Sequence, residues 1–128
     1  MRYGFYLPTR GPLGEPDAIE EIVRQGEAMG FATIVIGDHI VFPVTVDSQY
    51  PYTVGGGFPG QGDALEQLSL MAFIAGITEC ARLVTSVMIL PHRNPLVTAK
   101  MLATIDVLSR GASRLVSVWV GCVRNLRR

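Results

Sequence analysis

The sequence predicts an α/β fold built on a parallel sheet. Short apolar runs of strand length alternate with longer stretches whose apolar residues recur at helical spacing. Thr33-Ile34-Val35-Ile36 places four β-branched residues in a row, the pattern of a strand covered on both faces. Each strand-like run leads into a helix-like one, so successive strands join by crossovers, which are right-handed.

The elements follow in order. A first strand spans Tyr3 to Leu7 and is closed by Pro8 and a turn-rich stretch through Gly14. A first helix is expected to start with Asp17 as its N-cap and Glu20 three residues on, a capping-box pattern. Its apolar positions are Ile19, Ile22, Val23 and Met29, and Gly30 suits the left-handed position that ends a helix. The second strand runs from Phe31 to Ile36 and stops on Gly37-Asp38-His39. An irregular segment then occupies about Ile40 to Gly62, rich in proline and glycine but holding Phe42, Tyr50, Tyr52 and Phe58. A loop this long within a compact domain is usually functional.

Asp63 and Glu66 repeat the capping pattern and open a second helix with Leu65, Leu68, Met71, Ala72 and Ala75 on its apolar side. Arg82 to Leu90 reads as the third strand, apolar except for Thr85 and Ser86. In the turn Pro91-His92-Arg93-Asn94-Pro95, Asn94 is placed to cap a third helix and Pro95 to occupy its first position. That helix spans about Leu96 to Ser109 and ends at Gly111. His92 and Arg93 follow the third strand and read as turn residues, with reach to the pocket mouth as the alternative.

Composition narrows the function classes. With 48% apolar and 17% charged residues the chain is globular rather than disordered. Eleven Lys and Arg balance 11 Asp and Glu, so no net field steers a nucleic acid or a membrane surface. The late arginines Arg124, Arg127 and Arg128 have no basic stripe to join. Cys80 and Cys122 fit neither a metal spacing nor a disulfide framework. The apolar start is too short for a signal peptide, so a soluble cytoplasmic protein is expected.

Chemistry concentrates where strands finish. Asp38 and His39 close the second strand, and in barrels of alternating strands and helices such C-terminal strand ends face the active site. Successive strand residues point to opposite faces, so both side chains share a pocket only if the strand has ended. His39 is a candidate proton carrier because its ordinary pKa lies near neutrality. The hydroxyls of Thr85 and Ser86 are unusual inside an apolar strand, and Phe42, Tyr50 and Tyr52 are candidates for a substrate cover.

Several pieces together resemble a known family: Gly4-Phe5-Tyr6-Leu7-Pro8-Thr9, Gly37-Asp38-His39, Val46-Asp47-Ser48-Gln49-Tyr50-Pro51-Tyr52, Thr85-Ser86-Val87 and Leu90-Pro91-His92-Arg93-Asn94-Pro95. Their order and spacing are similar to the luciferase-like flavin and deazaflavin oxidoreductases, most of all the class dependent on coenzyme F420. The resemblance implies a (β/α)8 TIM-type barrel with the cofactor ring at its C-terminal mouth. By the same resemblance, Asp38, His39, Ser86 and Val87 hold the ring, His39 serves as acid or base, and Phe42 and Tyr50 meet a small organic substrate. The Ser86–Val87 peptide is cis in F420-dependent members. F420 is the implied cofactor and FMN the alternative, which would make the enzyme a flavin monooxygenase. The full-length form is expected to dimerise.

A barrel of this type needs about 250 residues, so residues 1–111 are read as its N-terminal part, with three to four strand–helix units. Residues 112–128 lack the glycine-rich fourth strand of the family and are read as an aberrant tail left by a shifted reading frame. The 128-residue chain alone is accordingly expected to be inactive, and a non-catalytic fragment stays a competing reading. A metal-dependent barrel hydrolase is disfavoured, because strand one carries Gly4, Phe5, Tyr6 and Leu7 where two histidines would be needed.

Overall fold

A computed structural model describes residues 1–41, 54, 64–111 and 113–114. The order is β1 (Gly4–Tyr6), α1 (Pro16–Ala28), β2 (Thr33–Ile36), α2 (Gln67–Ala75), β3 (Arg82–Thr85), α3 (Pro95–Leu108) and β4 (Ser113–Arg114), with 3-10 turns at Gly11–Gly14 and Leu90–His92. The strands form one sheet in the order β1-β2-β3-β4. All pairs are parallel: Tyr6 stands opposite Val35, Val35 opposite Val84, and Val84 opposite Arg114. The expected α/β architecture is present, and β4 falls within the stretch expected to be an aberrant tail.

Alternation along the strands sorts their residues onto two faces. Ile34, Ile36, Leu83 and Thr85 are fully buried under the helices. Leu68, Met71 and Ile74 of α2, Ile19 and Val23 of α1 and Ile105 of α3 join the strand residues in one core. The other face carries Tyr6, Val35 and Val84 and is only partly covered. Phe5 points to the helix side and packs edge-on against Phe31, ring centroids 5.4 Å apart. Gly26 makes this possible, since a Cβ there would lie 2.4 Å from the Phe5 ring.

Helix boundaries follow local chemistry. Asn94 Oδ1 accepts from the amides of Leu96 and Val97, and Pro95 takes the first helical position, as its fixed φ favours. Gly30 and Gly111 adopt φ of 86° and 83° after α1 and α3, where an L side chain would be strained. α1 departs from expectation. Pro16 occupies its first turn and Glu15 the N-cap position, leaving Asp17 inside the helix. Proline starts the helix upstream of the expected cap, and Glu20 binds Arg24 instead of reaching back. In α2 the cap is Glu66 itself, whose carboxylate accepts from Leu68 and Ser69. The third strand is shorter than expected: its ladder stops at Thr85, and the Ser86–Val87 peptide is cis.

At the N-terminal end of the sheet a single carboxylate organises the turn into β3. Glu27 of α1 accepts from the Thr78 hydroxyl at 2.6 Å and from the amides of Glu79, Cys80 and Ala81 at 2.7–3.2 Å.

Candidate functional site

The C-terminal ends of β1, β2 and β3 meet in one place. Past the last ladder pair, Ile36 with Thr85, the Ser86 amide still donates to the Ile36 carbonyl at 2.8 Å. Tyr6, on the open face of β1, reaches across with its hydroxyl and donates to the Ser86 carbonyl. It crosses over Gly37, where an added Cβ would sit 3.0 Å from the tyrosine oxygen. Glycine at this position therefore gives the phenol its route. The three strand ends thus form one surface, bearing Tyr6, Ser86, Val87 and, beyond Gly37, the solvent-exposed His39.

The joint role expected of Asp38 and His39 divides between the two faces. The Asp38 side chain is fully covered and turned toward the helices, where Oδ1 takes Arg93 Nη2 at 2.7 Å and Oδ2 takes the Ile89 amide at 2.8 Å. Alternation explains the split: consecutive residues at the end of an extended strand still point opposite ways. Arg93 Nη1 also binds Glu66 Oε1 at 2.7 Å, so one guanidinium joins the carboxylate after β2 to the cap of α2. Its own side chain is 8% exposed. Beside it, fully buried Gln67 donates through Nε2 to the carbonyls of Ile36 at 2.8 Å and Val87 at 3.3 Å. These two residues of α2 underlie both strand ends.

Gln67 Oε1 is buried with no hydrogen-bond partner among the described residues. Gln67→Leu is therefore expected to cost only about 1–2 kcal/mol in urea unfolding, because the donor bonds are lost while an unsatisfied acceptor also goes. A loss beyond that range would mean that Oε1 has a partner.

Electrostatics distinguish the groups. Partial desolvation by nearby protein atoms pushes the pKa of the exposed His39 below the usual histidine value, the positive charge of Arg10 adds to this, and Asp38 pulls the other way. Neutral imidazole, able both to donate and to accept a proton, is thereby favoured at neutral pH. Burial works against the charge of Glu66, yet the Ser69 and Leu68 amides and Arg93 outweigh it and hold the carboxyl below its usual range. Among the described residues no three His, Cys, Asp or Glu side chains gather to hold a metal ion. No described helix is long and apolar enough to cross a membrane.

The chain ends leaving β2 and β3, which carry His39 and Ser86–Val87, are held side by side, and Asp38 lies on their helix side. Phe42 and Tyr50, the expected substrate contacts, lie outside the described residues. Sequence reasoning passed over three members of the site. Tyr6 sat in a short strand with no chemistry assigned to it. Arg93 was read as a turn residue. Gln67 is the polar opening of the otherwise apolar run Gln67-Leu68-Ser69-Leu70-Met71, which is the signal that could have marked it. A cleft of about 780 Å³ lies to one side, between the Gly11–Gly14 turn and α2, lined by Arg10, Glu15, Ile19, Leu65, Ser69 and Phe73 among others. Neither His39 nor Ser86 lines it.

A parallel strand–helix sheet with its polar groups at the C-terminal strand ends defines a barrel-type α/β protein. Residues 1–116 match the model of the luciferase-like monooxygenase family, and the chain belongs to that family. An uncharacterized protein of Mycobacterium tuberculosis is 31% identical over 123 residues, which covers 94% of this chain and 42% of the relative. A second uncharacterized protein of that organism is 32% identical over 89 residues, 68% of this chain and 31% of the relative. The chain therefore spans less than half the length of these curated relatives. Among solved structures, it is similar in fold to the oxygenating constituent of 3,6-diketocamphane monooxygenase from Pseudomonas putida, in complex with FMN. That match has a TM-score of 0.59 at 18% identity and covers 90% of this chain and 28% of the other. Monooxygenase RslO1 of Streptomyces bottropensis gives 0.57 at 24% identity, covering 90% of this chain and 32% of the other.

The residue types at the strand ends are those that a flat heteroaromatic ring requires. Val87 is half-buried and Ile40 and Leu90 are partly exposed there, while His39, Ser86 and the Tyr6 hydroxyl supply polar atoms around them. A ring with an apolar face and a hydrogen-bonding edge needs both kinds of group.

Proposed function

We propose that this chain forms the ring-holding front part of a luciferase-like oxidoreductase that passes hydride between coenzyme F420 and a small organic substrate. The observation that carries the reading is the joining of the strand ends, where Tyr6 donates to the Ser86 carbonyl and Gln67 donates to the carbonyls of Ile36 and Val87, with His39 three residues past Ile36. The deazaflavin supplies hydride when bound. The protein's part is to seat and orient the ring: Val87 offers an apolar support, Ser86 a hydroxyl, and His39 a neutral imidazole placed to give or take a proton at the edge of the mouth. Asp38 does not reach the ring in this scheme but holds the backbone next to His39.

FMN is the second reading, favoured by the FMN complex of the diketocamphane monooxygenase, whose fold this chain shares. Phosphate groups in barrels of this type are usually held after strands seven and eight, and the described residues contain four strands. These strand ends would therefore meet the ring of either cofactor and not its phosphate groups.

The test is a two-dimensional NMR titration of the 128-residue polypeptide with F420, with FMN and with riboflavin. Saturable shifts at His39, Ser86 and Val87 are expected, larger with F420 than with FMN. The reverse order would assign the flavin instead. Absence of shifts at the strand ends up to millimolar ligand would dismiss the ring site altogether.

A further inference from the structure

We infer that Arg93 is a positioning residue of the ring site: by tying Asp38 to Glu66 beneath the strand ends, it sets where His39 and the Ser86–Val87 peptide stand. What is positioned rests on the ring-site reading above; that Arg93 positions it rests on the geometry alone.

Two chain segments meet on its guanidinium, and a third joins them through Asp38. Asp38 adjoins His39 and is pinned on both oxygens, Oδ1 by Arg93 and Oδ2 by the Ile89 amide. Ile89 follows Val87 by two residues, so the same carboxylate anchors the chain leaving β3. Glu66, on the other arm, adjoins Gln67, whose amide holds the carbonyls of Ile36 and Val87. His39, Ser86 and Val87 each stand at, or within a residue or two of, a point fixed by this network.

The chemistry requires arginine in particular. Its planar fork places Nη2 on one carboxylate and Nη1 on another, both at 2.7 Å. A lysine ammonium is a single point on a flexible stem and does not reproduce two directed contacts. Burial of the side chain, 8% exposed, separates this role from contact with substrate. Glu27 offers a built-in contrast: it also gathers several donors, but at the opposite end of the sheet, where no ring-facing group depends on it.

The experiment compares Arg93→Lys, Glu66→Gln and Glu27→Gln in the full 128-residue chain. Readouts are the His39 imidazole and Val87 amide resonances, hydrogen exchange at the Ile89 amide, thermal midpoint, and titration with FMN and with F420. Arg93→Lys is expected to move both resonances, to speed exchange at Ile89 about tenfold or more, and to weaken ring binding about tenfold. Glu66→Gln is expected to do the same more weakly, since it loosens one arm. Glu27→Gln is expected to lower the midpoint and leave the resonances, the Ile89 exchange and the binding alone. Should Arg93→Lys lower the midpoint as Glu27→Gln does, with His39, Val87 and Ile89 unmoved, Arg93 is purely structural and the inference falls. Should the unaltered chain bind neither cofactor, the ring-site reading falls, and the resonances and exchange still decide the role of Arg93.

Discussion

Replacing Arg93 by methionine is expected to destabilise the fold by about 3–5 kcal/mol, the usual cost of removing one partner from a buried ion pair. The side chain removed is 8% exposed, and the Asp38 carboxylate it leaves is fully covered. Methionine fills much of the same volume, so the loss comes from an uncompensated charge rather than from a cavity. Asp38 keeps one donor, the Ile89 amide. Glu66 retains the amides of Leu68 and Ser69 and is 35% exposed, so it suffers less. Urea unfolding followed by circular dichroism measures the loss. Adding Asp38→Leu to Arg93→Met removes the stranded charge and is expected to restore part of the stability, because a buried pair replaced on both sides often costs little. A double variant weaker than the single one would show that the charge was not the cause.

Glu27→Ala is expected to cost about 2–3 kcal/mol. It leaves the Thr78 hydroxyl and three successive backbone amides without their common acceptor, and the Ala81 amide leads directly into β3. Water replaces the carboxylate at the outer amides, which keeps the loss below that of a deep pair. The same cluster gives an acid signature. Burial disfavours the charge, but the Thr78 hydroxyl and the amides of Cys80, Ala81 and Glu79 overcome it and lower the carboxyl from 4.5 to about 2. The unfolded chain therefore takes up this proton first as pH falls. The stability contributed is complete above about pH 4.5 and drains away between there and about pH 2. Unfolding midpoints measured across that interval should fall steeply in the unaltered chain and less steeply in Glu27→Ala. Equal slopes in the two would mean that the cluster does not carry this proton.

The architecture was legible because its signals are local. β-branched runs announce β2, Asn94-Pro95 announces α3, and Gly30 and Gly111 mark helix ends through a backbone conformation that other residues resist. The start of α1 was misread because two local rules competed there, and Pro16 outweighed Asp17. The site was legible only in part. His39 and Ser86 stand out as polar groups against apolar neighbours near strand ends, and Val87 enters only through the family resemblance. The supporting layer could not be named, since Arg93, Glu66 and Asp38 lie far apart in the chain and no periodicity records which carboxylates a guanidinium will meet. The resemblance puts both Asp38 and His39 at the ring on condition that the strand has ended, and in the structure Asp38 keeps the alternation of the pleat and bonds Arg93 and the Ile89 amide on the helix side.

Helix α2 begins with the two residues that hold the strand ends, Glu66 at its cap and Gln67 at its first position. On the ring-site proposal, a ligand over His39 and Val87 is expected also to steady the opening turn of a helix it never touches, which makes the Leu70 amide, bonded back to Glu66, a remote gauge of occupancy.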